Sequence, residues 1–204
     1  MKAIPKRTLL VTCVVILLPM FFGLALWNRL PERMPTHFDF SGTADDYSGR
    51  PFAVICIPLF ILAMQLFCAV MLRADPKKQN ISEKMAQLVL WVCPAASLFA
   101  GLSMYLSALG FAINVSRFGM VFVGLLFIAI GNYLPKCRHN YTVGIRLPWT
   151  LDDEDNWNHT HRFAGYVWII AGVVTLLSVF LSHAAVVWVA AIFVASLSPL
   201  VYSF

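Results

Sequence analysis

Charge is what this sequence has least of. Asp, Glu, Lys and Arg make up only 12% of its 204 residues, against 60% apolar residues, a balance that a water-soluble fold of this size could not hide inside one core. A large soluble catalytic domain is thereby excluded. No Asp, Glu or Lys lies deep in any apolar run, which argues against a proton relay or a charge-coupled ion pathway. There is no CxxC. Of five cysteines, Cys13, Cys56, Cys68 and Cys93 lie in apolar runs and Cys137 follows a lysine in a polar stretch, so neither a disulfide nor a zinc framework is expected. Gly-x-Ser-x-Gly and His-Glu-x-x-His are missing as well, which leaves no recognisable hydrolase signature.

What is present is a series of long apolar stretches, at residues 9–27, 52–72, 86–106, 118–134, 163–182 and 184–203. A run of roughly 20 apolar residues is long enough to cross a bilayer. The fourth is short for this unless it begins near Phe111, with Arg117 snorkelling to the outer surface. The basic segment Met1 to Arg7 followed by an apolar run resembles a secretory signal, but the run exceeds the ~7–15 residues of a signal core and reads as an uncleaved anchor. Pro19, Pro58, Pro94 and Pro199 each remove a backbone donor inside a span and are expected to bend it. Gly165 with Gly172, and Ala191 with Ala195, make small-residue faces where helices can approach closely.

The net charge of +5 does not point to nucleic acid, because the cations sit in short clusters between apolar runs and form no aromatic-interleaved basic stripe. They read as topology determinants. Lys2, Lys6, Arg7, Arg73, Lys77, Lys78, Lys84, Lys136, Arg138, Arg146 and Arg162 fall on one side of the spans, and Arg29, Arg33, Arg50 and Arg117 on the other. The richer side is the cytoplasmic one. The expectation is an all-α membrane protein with about six transmembrane helices and cytoplasmic N- and C-termini. Residues 1–106 form an N-terminal region with spans 1–3 and an outer cap loop at 29–51, and residues 107–204 form a C-terminal region with spans 4–6 and a cytoplasmic motif loop at 135–162.

Two loops are large enough to recognise anything. In the outer one Thr36, Phe38 and Phe40 alternate with His37 and Asp39, the period of a short strand with one apolar face, while Gly42 and Gly49 supply turns. His37, Asp39, Asp45 and Asp46 are of the right types to ligate a divalent cation. The plainer reading puts His37 and Asp39 on the wet face of the strand and Asp45 and Asp46 in a turn. The inner loop begins with a turn-rich segment, since Pro135, Gly144 and Pro148 interrupt any helix. A helix is then expected from near Thr150, with Thr150 and Asp153 as a variant capping box and the acidic residues 152–155 at its N-terminus, where the dipole favours them. Trp149 and Trp157 would sit at the membrane boundary. His159 and His161, two apart, point away from each other on a helix and chelate one ion poorly.

The run from Asn140 to Leu151 reads NYTVGIRLPWTL and is followed by Trp157, Thr160, His161, Arg162 and Gly165. It closely resembles the signature of the SdpI family of bacterial immunity proteins, with Leu147 where the family usually has a Thr. The outer run LPERMPTHF from Leu30 to Phe38, with Gly42 and Asp45, is similar to the domain that commonly precedes that signature. The resemblance implies a multi-pass protein of the bacterial cytoplasmic membrane, without enzymatic activity, cofactor or direct nucleic-acid binding, that confers resistance to a secreted toxic peptide. Family members can also act as receptors that sequester a small DNA-binding repressor at the membrane. Arg146, Trp149, Trp157, His161 and Arg162 would form the inner site, with Asn140, Tyr141, Gly144, Pro148, Thr150, Thr160 and Gly165 completing its motif. Pro35, His37, Asp39, Gly42 and Asp45 would be the outer ligand site. A small transporter or peptide exporter is the alternative, but the buried ionisable groups or paired broken helices that would mark one are not evident.

Overall fold

The computed structural model describes residues 6–204. Lys2, one of the cations counted for orientation, lies outside the described residues. Six helices are long and apolar enough to cross a membrane: Lys6–Ala25, Phe52–Ala74, Glu83–Ala108, Val115–Lys136, Glu154–Ser178 and Ala184–Ser203. The chain is therefore a multi-pass helical membrane protein. In chain order the elements are α1 (Lys6–Ala25), β1 (Arg33–Phe38), β2 (Ala44–Gly49), α2 (Ile57–Ala74), α3 (Glu83–Ala108), α4 (Val115–Tyr133), α5 (Pro148–Asp152), α6 (Glu154–Ser178) and α7 (Ala184–Ser203). A π-helical turn, Phe52–Cys56, leads into α2 just before Pro58, where the missing proline N–H would break an α-helical ladder.

Several span boundaries differ from those read in the sequence. The fourth span starts at Val115, between the two starts considered, because Gly110 at φ +83° ends the preceding segment and the Asn114 side chain accepts the Arg117 N–H at 2.9 Å as a helix cap. The fifth begins earlier than 163 and ends at Ser178. The first lies two to three residues N-terminal of its expected place.

The described residues form two compact units, residues 6–70 with 89–119, and residues 71–88 with 120–204. In the first, several polar side chains of the helices donate to neighbouring carbonyls and hydroxyls, while Gln65 Oε1, Ser103 Oγ and Ser116 Oγ are buried without a partner among the described residues. Gln65, wholly buried, donates to Thr12 Oγ1 at 2.8 Å and to the Leu90 carbonyl at 3.0 Å. Ser97 donates to the Ile16 carbonyl and Tyr105 to that of Pro19, both at 2.8 Å. Such bonds replace water that hydrocarbon cannot supply.

In the second unit, glycine pairs seven apart on two helices face each other. A Cβ on Gly131 would stand 2.9 Å from the Gly165 carbonyl oxygen, and one on Gly172 would stand 2.6 Å from that of Gly124. Backbone therefore meets backbone along α4 and α6, the close approach expected of Gly165 and Gly172. Ala171, Ala191 and Ala195 form a small cluster between α6 and α7, and Trp168 crosses it to donate to the Ala195 carbonyl at 2.9 Å.

Candidate functional site

The loop after the first span, expected to face outward, folds into a hairpin. β1 and β2 pair antiparallel, Arg33 opposite Gly49 and Met34 opposite Ser48, with irregularities on either side of His37. The turn between them is built by Asp39, whose Oδ1 accepts from the Ser41 N–H at 2.9 Å, the Ser41 hydroxyl at 2.6 Å and the Thr43 N–H at 2.9 Å. These donors hold the Asp39 carboxyl below its ordinary range, the Ser41 side chain contributing most. Gly42 takes φ +86° there, and a Cβ on it would strike Asn114.

Two expectations are corrected here. The turn belongs to Asp39, not to Asp45 and Asp46, which lie on β2. Phe40 is not on a buried apolar face, being 66% exposed, because the register irregularities break the alternation and the strand ends at Phe38. Met34 and Pro35 are the residues that turn inward. The five proposed outer residues thus do not converge on one point. His37 Nδ1 meets Asp45 Oδ1 at 2.6 Å, which raises the His37 pKa, while Pro35 is buried and Asp39 is committed to the turn. Arg50 fastens the base of the loop, donating to the Trp27 and Leu30 carbonyls at 2.7 and 2.9 Å.

The motif loop after the fourth span is organised around Trp157, which is fully buried. This corrects its expected place at the lipid boundary. Its indole N–H donates to the Cys137 carbonyl at 2.7 Å, so the ring needs no interfacial water. His161 stacks on it with centroids 4.0 Å apart, and His139 meets it edge-on at 5.1 Å.

Hydrogen bonds assign both imidazoles as neutral, in opposite tautomers. The Ile145 N–H donates to His161 Nε2 at 2.9 Å, so the proton sits on Nδ1 and is given to the Trp157 carbonyl at 2.8 Å. His139 accepts from the Lys77 ammonium on Nδ1 at 2.7 Å and donates from Nε2 to the Leu151 carbonyl at 2.8 Å. Both nitrogens of His161 are thus engaged with backbone, and His159 is exposed on the same helix. Among the described residues no three His, Cys, Asp or Glu side chains gather as a metal site would require.

Asn140 shapes the turn that follows. Its Oδ1 accepts from the Thr142 and Val143 N–H groups at 2.9 and 2.7 Å, and its amide donates to the Arg138 and Val143 carbonyls at 2.8 and 3.0 Å. Gly144 then adopts φ +116° with its Cα so close to His161 that a Cβ would collide with Nε2. The Cys137 thiol, buried beneath this turn, is pushed up to about 11 by desolvation.

The expected single helix from Thr150 is in fact two. α5 ends at Asp152, Asp153 leaves helical geometry, and its Oδ1 caps α6 by accepting from the Asp155 and Asn156 N–H groups at 2.8 and 3.3 Å. Thr150 instead ties α5 to the loop, accepting from the Leu147 N–H at 3.0 Å and donating to the Ile145 carbonyl at 2.9 Å. Trp149 and Asn156 reach the far end of α7, at Ser203 Oγ and the Ser203 carbonyl, at 2.9 and 2.8 Å.

The motif residues therefore divide in two. Asn140, Thr150, Trp157, Thr160, His161 and Gly165 are buried scaffold, whereas Tyr141, Arg146, Pro148 and Arg162 are exposed. Sequence reasoning missed the partners that complete the scaffold. Asp75, just past α2 and 3% exposed, accepts from the Tyr141 N–H at 2.9 Å and the Thr142 hydroxyl at 2.6 Å. Asn80 donates to the His139 carbonyl at 2.7 Å. A buried carboxylate between two span boundaries is the one signal that could have found Asp75, since it is the lone acid in a basic segment.

Residues 14–62 match a domain of unknown function (DUF1648). Over 176 residues the chain is 25% identical to the immunity protein SdpI of Bacillus subtilis (strain 168), covering 84% of this chain and 81% of that protein. No solved structure matches. Residues 136–203, which hold most of the motif loop and the last two spans, match the SdpI/YfhL protein family.

Proposed function

We propose that this chain is a non-enzymatic immunity protein of the bacterial cytoplasmic membrane, oriented with both termini inside, that confers resistance to a secreted toxic peptide. The observation that carries the reading is the split within the motif: a tightly satisfied buried scaffold presents Tyr141, Arg146 and Arg162 outward, as a recognition surface needs and a packed core does not. Similarity to an immunity protein over most of the chain supports it. The peptide is met by the outer hairpin and the membrane helices, and the motif loop reports or locks the bound state.

The same loop recruits a small basic regulator. Asp153 is committed to capping α6, but Asp152, Glu154 and Asp155 are exposed beside it and offer a negative surface to such a partner.

Expression in a toxin-sensitive bacterium tests the immunity reading. Survival should rise with the wild-type chain and fall back with Arg146→Ala at equal membrane abundance. Unchanged killing by every candidate toxin would count against immunity. For recruitment, co-purification of a small regulator should be lost in the combined variant Asp152→Asn, Glu154→Gln, Asp155→Asn, and full retention would remove that role.

A further inference from the structure

The segment just past α2 and the motif loop together gather cations that no carboxylate neutralises. Lys77 donates to His139 Nδ1 at 2.7 Å and lies 5.8 Å from the Tyr141 ring. Arg146 donates to the Tyr141 carbonyl at 2.9 Å. Lys78 reaches the Arg73 carbonyl at 3.4 Å, which brings that pair to the same end of α2. Each contact is to a neutral acceptor. The one acid among them, Asp75, is buried, with its oxygens occupied by the Lys77 and Tyr141 backbone N–H groups and the Thr142 hydroxyl. Among the described residues the sole ion pair is His37 with Asp45, so Lys77 and Arg146, which flank the exposed Tyr141, and the exposed Arg73 and Lys78 beside them in the chain have a single buried carboxylate for counter-charge.

A fold that fastens cations side by side without acids leaves a place for an external anion. Its level in the membrane says which. The span Phe52–Ala74 ends one residue before Asp75, so the cluster begins where hydrocarbon gives way to headgroups. Tyr141, 43% exposed, is the amphipathic ring favoured at that depth. Met71, one turn back from Asp75 within the span and 38% exposed, offers apolar surface of the kind an acyl chain would lie against.

We propose that Lys77 and Arg146, flanking Tyr141, bind the phosphate of an anionic glycerophospholipid together with Arg73 and Lys78 at the adjoining end of α2. The headgroup would be clamped between the α2–α3 connection and the motif loop, so the lipid would help to hold the loop in place. This site is independent of any toxin.

The test uses the full chain in nanodiscs of phosphatidylcholine with a minority of phosphatidylglycerol, followed by native mass spectrometry of retained lipid. Wild type should retain phosphatidylglycerol over phosphatidylcholine by at least about tenfold, within what a few cations held at a membrane surface supply. The combined variant Arg73→Gln, Lys78→Gln, Arg146→Gln keeps Lys77 on His139, and with it the loop scaffold, and should lose most of that preference. The control Lys84→Gln, Lys136→Gln should keep it. Equal retention of the two lipids by wild type, or equal loss in variant and control, would overturn the proposal. Displacement of the retained phosphatidylglycerol from the same mixed discs by millimolar inorganic phosphate would also overturn it, since the site would then be one for free anions.

Discussion

Asp75 and Tyr141, 66 positions apart in the chain, are joined by a 2.9 Å hydrogen bond from the Tyr141 N–H to the Asp75 carboxylate. With the Thr142 hydroxyl at 2.6 Å on the same oxygen, one buried acid fixes the only part of the motif loop that is both aromatic and exposed. Removing it as Asp75→Ala takes this acceptor from three donors, the Lys77 and Tyr141 N–H groups and the Thr142 hydroxyl, a cost of about 1–3 kcal/mol. The loop between residues 137 and 147 should become sensitive to protease in membranes while the spans stay intact. Asp75→Asn, which keeps one acceptor oxygen, should fall between wild type and alanine. Unchanged protease resistance in both variants would show that the loop does not depend on this acid.

The buried and exposed halves of the motif should fail differently. His161→Phe keeps an aromatic ring against Trp157 but gives the Ile145 N–H no acceptor, so folded protein should fall by about 1–3 kcal/mol of stability. Arg146→Ala removes one exposed bond to the Tyr141 carbonyl, and its stability should stay within about 0.5 kcal/mol of wild type. Thermal unfolding in detergent separates the two, and survival on toxin should be lost in both. A large stability loss from Arg146→Ala would place that residue in the scaffold.

Glycine substitutions probe two different constraints. Gly144→Ala meets both a left-handed backbone and a collision with His161, so it should displace the loop and cost about 1–3 kcal/mol. Gly131→Val forces side chain against the Gly165 backbone and should separate α4 from α6 at a similar cost. Cys137 serves as reporter in a chain whose other four cysteines are replaced by alanine. Its buried, hard-to-ionise thiol should resist maleimide at pH 8 in the parent, and should label quickly in Gly144→Ala.

The outer hairpin should respond to pH through His37. The Asp45 hydrogen bond and charge raise its pKa above the ordinary 6.5, so the folded hairpin binds the proton more tightly than the unfolded chain does. Its contribution is fully present below about pH 6.5 and is lost as pH rises through the raised value. Hydrogen exchange in residues 33–49, corrected for the intrinsic pH dependence, should therefore show protection falling above pH 6.5. Asp45→Asn should flatten the profile, and an unchanged profile in that variant would exclude the pair as its source.

The six spans were legible because hydrocarbon imposes a composition that survives without any tertiary contact. Residues 184–203 were read with the boundaries that the structure shows. The glycines of α6 were legible too, though their partners Gly124 and Gly131 were not, since a small residue announces close approach without saying to what. The outer strand was seen as a strand but with the wrong inward face. A bulge at His37 cannot be read from an alternation that it interrupts.

The sequence by itself determined that the chain is a multi-pass helical membrane protein with two polar loops, because the cost of burying charge and unpaired backbone in lipid is local and additive along the chain. Tertiary structure alone decided which motif residues are scaffold and which are surface. His161 and Arg162 are neighbours in the sequence, yet one is sealed against Trp157 and the other exposed, and Asp75 joins the motif from a different connection altogether. Such assignments depend on which donors and acceptors meet across long separations, and periodicity carries no record of that.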